Sequence, residues 1–254
     1  MNNIKQVIKG TKAGTTMILD KAIIFHVEDL VKESYANMEY VGETIEKIAK
    51  NELERYKYNI KYTKFFAYLM REIMRNVVEH SHSKKLELYL FSNEYGDFGF
   101  KVKDTGIGIK KSLESNPNYL LNDNITALAF AIRPGITRSY KKDPSRSEEW
   151  QNSGFGLYMV SNLISRINGR FEIATGNVRL VLKNNYPEYV QNTTTKYKRS
   201  GTEVICVFNT RQKINTSRLI MEVSKEGNEY TQGKERFAEY STIKTASKAS
   251  TLIE

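Results

Sequence analysis

The sequence predicts an α/β protein in which helices cover a sheet, and three observations carry that class. Residues 71–81 read as a helix. It stacks Glu72, Asn76 and His80 at i, i+4 and i+8 and sets Met70, Ile73 and Val77 on a neighbouring apolar stripe. Two strands of alternating hydrophobicity follow directly, and a second apolar helix then leads into three more strands. A carboxylate and an amide one turn apart can hold a hydrated divalent metal and orient a water, although the same spacing occurs on many solvated helices.

Taken in order, residues 1–20 hold one weak strand signal at 16–19. Between 27 and 55 the apolar positions Leu30, Val31, Met38, Val41, Ile45, Ile48 and Leu53 recur near helical spacing, which predicts one or two amphipathic helices. His26, followed by acidic residues, has the look of a phosphoacceptor. The plainer reading is a histidine at a helix start, because a full helical hairpin and a linker hardly fit before Asn76. Residues 55–70 interleave aromatics with bases, as stacking platforms for single-stranded nucleic acid do. Tyr58, Tyr62, Phe65, Phe66 and Leu69 also keep helical spacing, however, and core packing with snorkelling lysines is the favoured reading.

Leu86, Leu88 and Leu90, then Phe98, Phe100 and Val102, mark the first two strands, joined by turn chemistry at 93–97. Residues 110–153 are polar, contain Pro117, Pro134 and Pro144, and include one short apolar helix near 125–132. A connection that long inside one domain is functional or mobile. The helix of Leu157, Val160, Leu163, Ile164 and Ile167 ends at Gly169, a natural C-cap. Residues 170–175, 178–182 and 203–208 read as strands, the first two joined by a tight turn at Gly176-Asn177. From 211 to 254 the chain is a mixed-charge polar tail with at most one short helix, expected to be partly disordered or folded on a partner.

Composition bounds the functional classes. At 254 residues and 40% apolar content the chain can bury one substantial core. No apolar run of about 18 residues predicts a membrane span. The first residues lack the apolar core of a secretory signal. The single cysteine, Cys206, excludes an internal disulfide and suits a reducing, cytoplasmic setting. A net charge of +10 favours polyanions, ATP and nucleic acid among them, but lysines and arginines are interleaved with acids along the chain.

Gly106-Ile-Gly108 and Gly154-Phe-Gly156 lack the third glycine of a dinucleotide fingerprint, and no phosphate-binding P-loop exists. Their order is informative: Glu-x3-Asn on a helix, a hairpin, Asp104-x-Gly-x-Gly, a long polar segment, Gly-x-Gly-Leu opening a helix, then Gly201-Thr202 before a strand. That order, over roughly residues 60–210, resembles the GHKL superfamily of gyrase-type topoisomerases, heat-shock chaperones, histidine kinases and mismatch-repair ATPases. The resemblance implies a two-layer α/β (α+β) sandwich, with a mixed sheet, helices on one face and a long lid, the Bergerat-type ATP-binding fold.

It also implies roles. Asn76 would ligate Mg²⁺, and Glu72 would act as the catalytic group that polarises the attacking water. Asp104 would accept a hydrogen bond from the adenine amino group, with Thr202 near the base. Gly106 and Gly108 would let backbone approach the nucleotide. Gly154, Phe155, Gly156 and Leu157 would form the phosphate-binding helix start. Residues 110–153 would be the lid, in which Arg133, Thr137, Arg138 and Lys141 are candidates for γ-phosphate contact.

Against these roles stand plainer ones: Glu72 as a surface acid, His80 as a helix-closing residue, and Glu79 and His82 as solvent-facing groups. The expected organisation is an N-terminal helical segment over 1–58, an ATP-binding domain over 59–210 and the tail. No dimerisation hairpin, transducer or receiver segment is evident in the sequence, which leaves a stand-alone module as the expectation. The expected function is a Mg²⁺-ATP-dependent switch acting on a protein partner or a second copy. The alternatives are a kinase of the anti-sigma-factor or histidine-kinase type, and a basic nucleic-acid-binding module.

Overall fold

Alternating apolar residues place one side of each central strand in the core, and the helices supply the layer that buries it. The computed structural model describes residues 7–11, 14–18, 21–56, 62–139, 153–183, 186–191, 199–232 and 246. Seven strands form the main sheet: β3 (Ile23–His26), β4 (Lys85–Ser92), β5 (Asp97–Asp104), β6 (Arg170–Gly176), β7 (Val178–Lys183), β8 (Tyr186–Gln191) and β9 (Arg199–Asn209). Their order across the sheet is β3-β4-β5-β9-β6-β7-β8. A small hairpin of β1 (Val7–Lys9) and β2 (Thr16–Ile18) lies apart from it in sequence and pairing.

The sandwich class agrees with the sequence, but the sheet expected to be mixed is antiparallel at every one of its pairings. The reason is an insertion. β5 and β6 run in the same direction, as a parallel crossover requires, yet β9 enters between them and pairs antiparallel with both. This register lays Val102 opposite Val204 and Thr175 opposite Thr202, so the ends of three strands meet at one edge.

The helical layer contains α1 (Val27–Ala36), α2 (Val41–Arg55), α3 (Thr63–His80), α4 (Ile109–Leu113), α5 (Asn124–Ala131), α6 (Gly156–Arg166) and α7 (Thr216–Gln232). Helix α3 is buried around nearly its whole circumference from Phe65 to Arg75, as a central helix must be. Phe66 stacks on Phe208 at 4.2 Å and meets Phe98 edge-on at 4.4 Å, which sets α3 over β5 and β9. Phe65 and Phe66 are therefore core residues with no face left for stacking on bases, while Tyr58 lies outside the described residues. On the opposite face of the sheet, Met17 of the small hairpin packs with Phe91, Ile205 and Val207.

Several elements are absent from the sequence reading or differ from it. Strand β8 is exposed at nearly every position and carries Pro187, so neither alternation nor apolar content marks it; such residues belong on a sheet edge. The polar connection after β5 is partly built. Leu113, Tyr119, Leu121, Ala127, Ala131 and Ile136 form a separate small core, and Asp123 caps α5 by accepting from Thr126 N at 2.7 Å. Residues 216–232, read as tail with at most a short helix, are a 17-residue helix. Its buried stripe is Ile220, Val223, Ser224, Gly227 and Thr231, and small residues let it approach Phe155 and Tyr158 closely. Only two of those five residues, Ile220 and Val223, are large and apolar, and charged neighbours surround them in the sequence. His26 is exposed at the N-cap of α1, as a helix-start histidine is.

Candidate functional site

Helix α3 crosses the end of the sheet where β5 and β6 finish and β9 begins, and a cavity of about 120 Å³ lies between them. Of the residues selected from sequence, Glu72, Asn76, Asp104, Gly108, Gly154, Gly156, Leu157 and Thr202 line it, with Thr137 and Arg138 from the lid segment.

At the sheet end, Asp104 is 3% exposed. Its Oδ1 accepts from Gly106 N at 2.7 Å and its Oδ2 from Thr202 N at 3.2 Å. Burial pushes the Asp104 carboxyl up to about 6, and the two backbone donors pull the other way. The turn after Asp104 is braced twice. Ile107 N donates to Ser81 O at 2.8 Å, and Ile109 N donates to Thr175 Oγ1 at 3.2 Å.

Gly106 does not line the cavity. A Cβ there would stand 2.0 Å from Ser81 O, so its glycine serves the approach of this turn to the end of α3.

At the other end, Glu72 is also 3% exposed. Arg71 donates to its Oε1 from Nε at 3.1 Å and from Nη2 at 2.9 Å. Oε2 points to the start of α6, where a Cβ on Gly156 would meet it at 2.6 Å. Helix α6 begins without a side-chain cap, which leaves first-turn amides for an acceptor from outside. Asn76, one turn along α3 from Glu72, is half-buried, and its side-chain amide makes no hydrogen bond with the described residues.

Phe155 behaves differently from its glycine neighbours. Its ring is fully buried against Tyr158 and Gly227, away from the cavity, so only its backbone belongs to the helix start.

His80 lines the cavity between these two ends. Burial pushes its imidazole down to about 4, partly opposed by Glu79, so it is neutral near pH 7. Its Nδ1 is buried and has no hydrogen-bond partner among the described residues. Glu79, expected to face solvent, instead pairs with Arg75 at 2.9 Å with both side chains under 10% exposed. It reaches that partner because i and i+4 stack on a helix. His82 is exposed as expected and meets Arg138 Nη1 at 2.9 Å through Nε2. Arg138 also donates to His80 O at 3.3 Å, which ties the connection after β5 to the end of α3. Arg133 lies over the Phe130 ring outside the cavity, and Lys141 falls outside the described residues.

Three residues that matter here were not selected from sequence: Arg71, Glu46 and Thr175. Arg71 sits beside Glu72 in the chain but gives no periodic signal. Glu46 comes from a separate helix, and Thr175 reads as an ordinary strand residue.

Residues 62–212, more than half of the chain, match the family described as histidine kinase-, DNA gyrase B-, and HSP90-like ATPase. Comparison with curated proteins finds no match. The ordered arrangement of Glu72, Asn76, Asp104 and the α6 helix start around one cavity agrees with that match, and the chain belongs to this family as a GHKL-type ATP-binding module.

Proposed function

We propose that the protein is a Mg²⁺-dependent ATPase whose nucleotide state is read by a partner or a second copy through the lid segment. The observation that carries this reading is the meeting of two buried carboxylates, an unengaged amide and an uncapped helix start in one cavity. Asp104 presents carboxylate oxygen at the sheet end, which suits the amino group of adenine and opposes the carbonyl oxygen of guanine. Glu72 holds Oε2 toward the α6 start, where it can accept a proton from a water aligned on a terminal phosphate.

Asn76 fits a magnesium site. Among the described residues no cluster of three or more His, Cys, Asp or Glu could hold a metal by itself, and Mg²⁺ characteristically takes one or two protein ligands, several waters and substrate phosphates. When bound, Mg²⁺ supplies charge neutralisation at the phosphate oxygens. Asn76 contributes an amide oxygen, and the α6 amides contribute donors.

Nucleotide binding and turnover, measured side by side for the wild type, Asn76→Ala, Asp104→Asn and Glu72→Gln, test the assignment. Binding lost in the first two variants, and turnover lost with binding retained in the third, is the expected pattern. Unchanged binding in both Asn76→Ala and Asp104→Asn removes the site. Labelled phosphate transferred to a protein, with none released to water, replaces hydrolysis by a kinase reaction using the same residues.

A further inference from the structure

The largest fully buried side chain among the described residues is Arg71, 2% exposed in the middle of the helical layer. Adjacent residues on a helix do not face each other, so Arg71 must wrap around α3 to reach Glu72. Something has to hold it in that posture. Glu46, from α2, accepts from Arg71 Nη1 at 2.5 Å, and the Tyr68 ring lies 4.9 Å beneath the guanidinium carbon. Glu46 is itself buried, on a helix whose neighbouring Ile45, Ala49 and Leu53 are at most 1% exposed. Burial works against the charge on Arg71, and the carboxylates of Glu72 and Glu46 more than offset it.

We propose that Glu46 and Arg71 are positioning residues for Glu72, a relay by which α2, which precedes the family-matched residues, sets the active carboxylate. The division of the Glu72 oxygens carries the argument. Both Arg71 donors that reach Glu72 fall on Oε1, which leaves Oε2 directed at the α6 start. A planar guanidinium with one edge on Oε1 and its remaining nitrogen on Glu46 anchors that oxygen and leaves Oε2 on the α6 side. Glu46 holds Arg71 through Oε2 while its Oε1 lies 3.3 Å from Lys50 Nζ, so cations and carboxylates alternate from α2 to the cavity. The relay rests on the reading of Glu72 as the group that aligns the attacking water.

The test uses the full chain and separates the two ideas. Mg²⁺-ATP turnover, binding of a non-hydrolysable ATP analogue and thermal midpoints are measured for the wild type, Glu72→Gln, Glu46→Gln, Glu46→Asp, Arg71→Lys and the double variant Glu46→Gln/Glu72→Gln. Rates are expressed per nucleotide-binding-competent molecule, so partly unfolded protein does not count as slow protein. The relay requires Glu46→Gln and Arg71→Lys to lower kcat about tenfold or more with analogue Kd within about threefold, because misplacing a reacting group by about 1 Å costs up to about a hundredfold. Glu46→Asp is expected to recover part of the loss, and Glu46→Gln to lower nothing further once Glu72 is glutamine. Wild-type kcat in both Glu46→Gln and Arg71→Lys, with Glu72→Gln inactive, overturns the relay and leaves the role of Glu72 standing. Loss of analogue binding in step with kcat reduces Glu46 to a packing residue and also overturns it. A wild type without turnover, or Glu72→Gln at the wild-type rate, removes the reading beneath the relay and the relay with it.

Discussion

Glu72 and Asp104 line one cavity, are equally buried at 3% exposure, and are held in opposite ways. Among the described residues Asp104 has backbone N–H groups as its hydrogen-bond partners, and burial lifts its carboxyl to about 6. Glu72 has a guanidinium on one oxygen and space on the other. Neutral donors suit a carboxylate that recognises a ligand at rest, because they orient it without a counter-charge. A cation on one oxygen instead anchors that oxygen and leaves the other toward the α6 start. Burial alone does not separate these cases; the partner does.

The comparison breaks first at Glu72. Glu72→Gln keeps the shape and removes the base, and turnover is expected to fall by about 10²–10⁴-fold with nucleotide affinity nearly unchanged, as a single-turnover assay beside equilibrium binding would show. A parallel loss of binding would put Glu72 in the same class as Asp104.

The second difference is visible in pH dependence. A carboxyl raised from 3.8 to about 6 takes up its proton earlier in the folded state, so Asp104 adds stability as pH falls from 6 toward 4 and loses it as pH rises. His80, lowered from 6.5 to about 4, acts oppositely: the unfolded chain binds that proton first, and stability drops over the same window. Each effect is on the order of 3 kcal/mol, and the two oppose each other in the wild type. Denaturant titrations at pH 7 and pH 4.5 should show Asp104→Asn losing more stability than the wild type on acidification, and His80→Gln losing less. If Asp104 faces adenine as proposed, nucleotide affinity should fall as pH drops through 6 in the wild type, because the carboxylate is then protonated. Flat affinity between pH 7 and 5 would mean that Asp104 does not face the base.

Gly156 offers a finer cut. Alanine there puts a methyl group 2.6 Å from Glu72 Oε2, and the carboxyl has to move. Turnover should drop by about tenfold or more while adenine affinity, read at the other end of the cavity, changes little.

The smallest expected effect separates two lid arginines. Arg138→Ala removes the tie to His80 O and His82 and should change nucleotide affinity by a few-fold, about 1 kcal/mol, whereas Arg133→Ala should leave it unchanged. Isothermal titration of both would show whether the tie matters.

Much of this was legible in the sequence because the site is written in short segments of regular spacing. The i, i+4 step from Glu72 to Asn76 survives folding, since a helix preserves it, and the glycine pairs mark places where backbone must come close. What escaped the sequence depended on partners far along the chain. Glu79 reads as a solvent residue until Arg75 is found beside it in a buried pair. Phe155 sits inside a glycine motif yet turns its ring into the core, because Gly227 of a helix some 70 residues later leaves room for it. Helix α7 hid in a polar tail because only Ile220 and Val223 of its buried face are large and apolar, and the small Ser224 and Gly227 gain packing worth only against neighbours such as Phe155 and Tyr158.

The order of motifs along the chain carried the resemblance to the family, and periodicity and turn chemistry, local properties that each segment carries alone, determined the helix-over-sheet class. Only the folded chain decided that β9 enters between β5 and β6 and makes the sheet antiparallel throughout. It also decided that one oxygen of Glu72 is held by Arg71 and, through it, by Glu46 on another helix. Those are facts of long-range pairing. Hydrophobic pattern says that a face will be buried, and charge says that a partner is needed, but which partner arrives is set by topology.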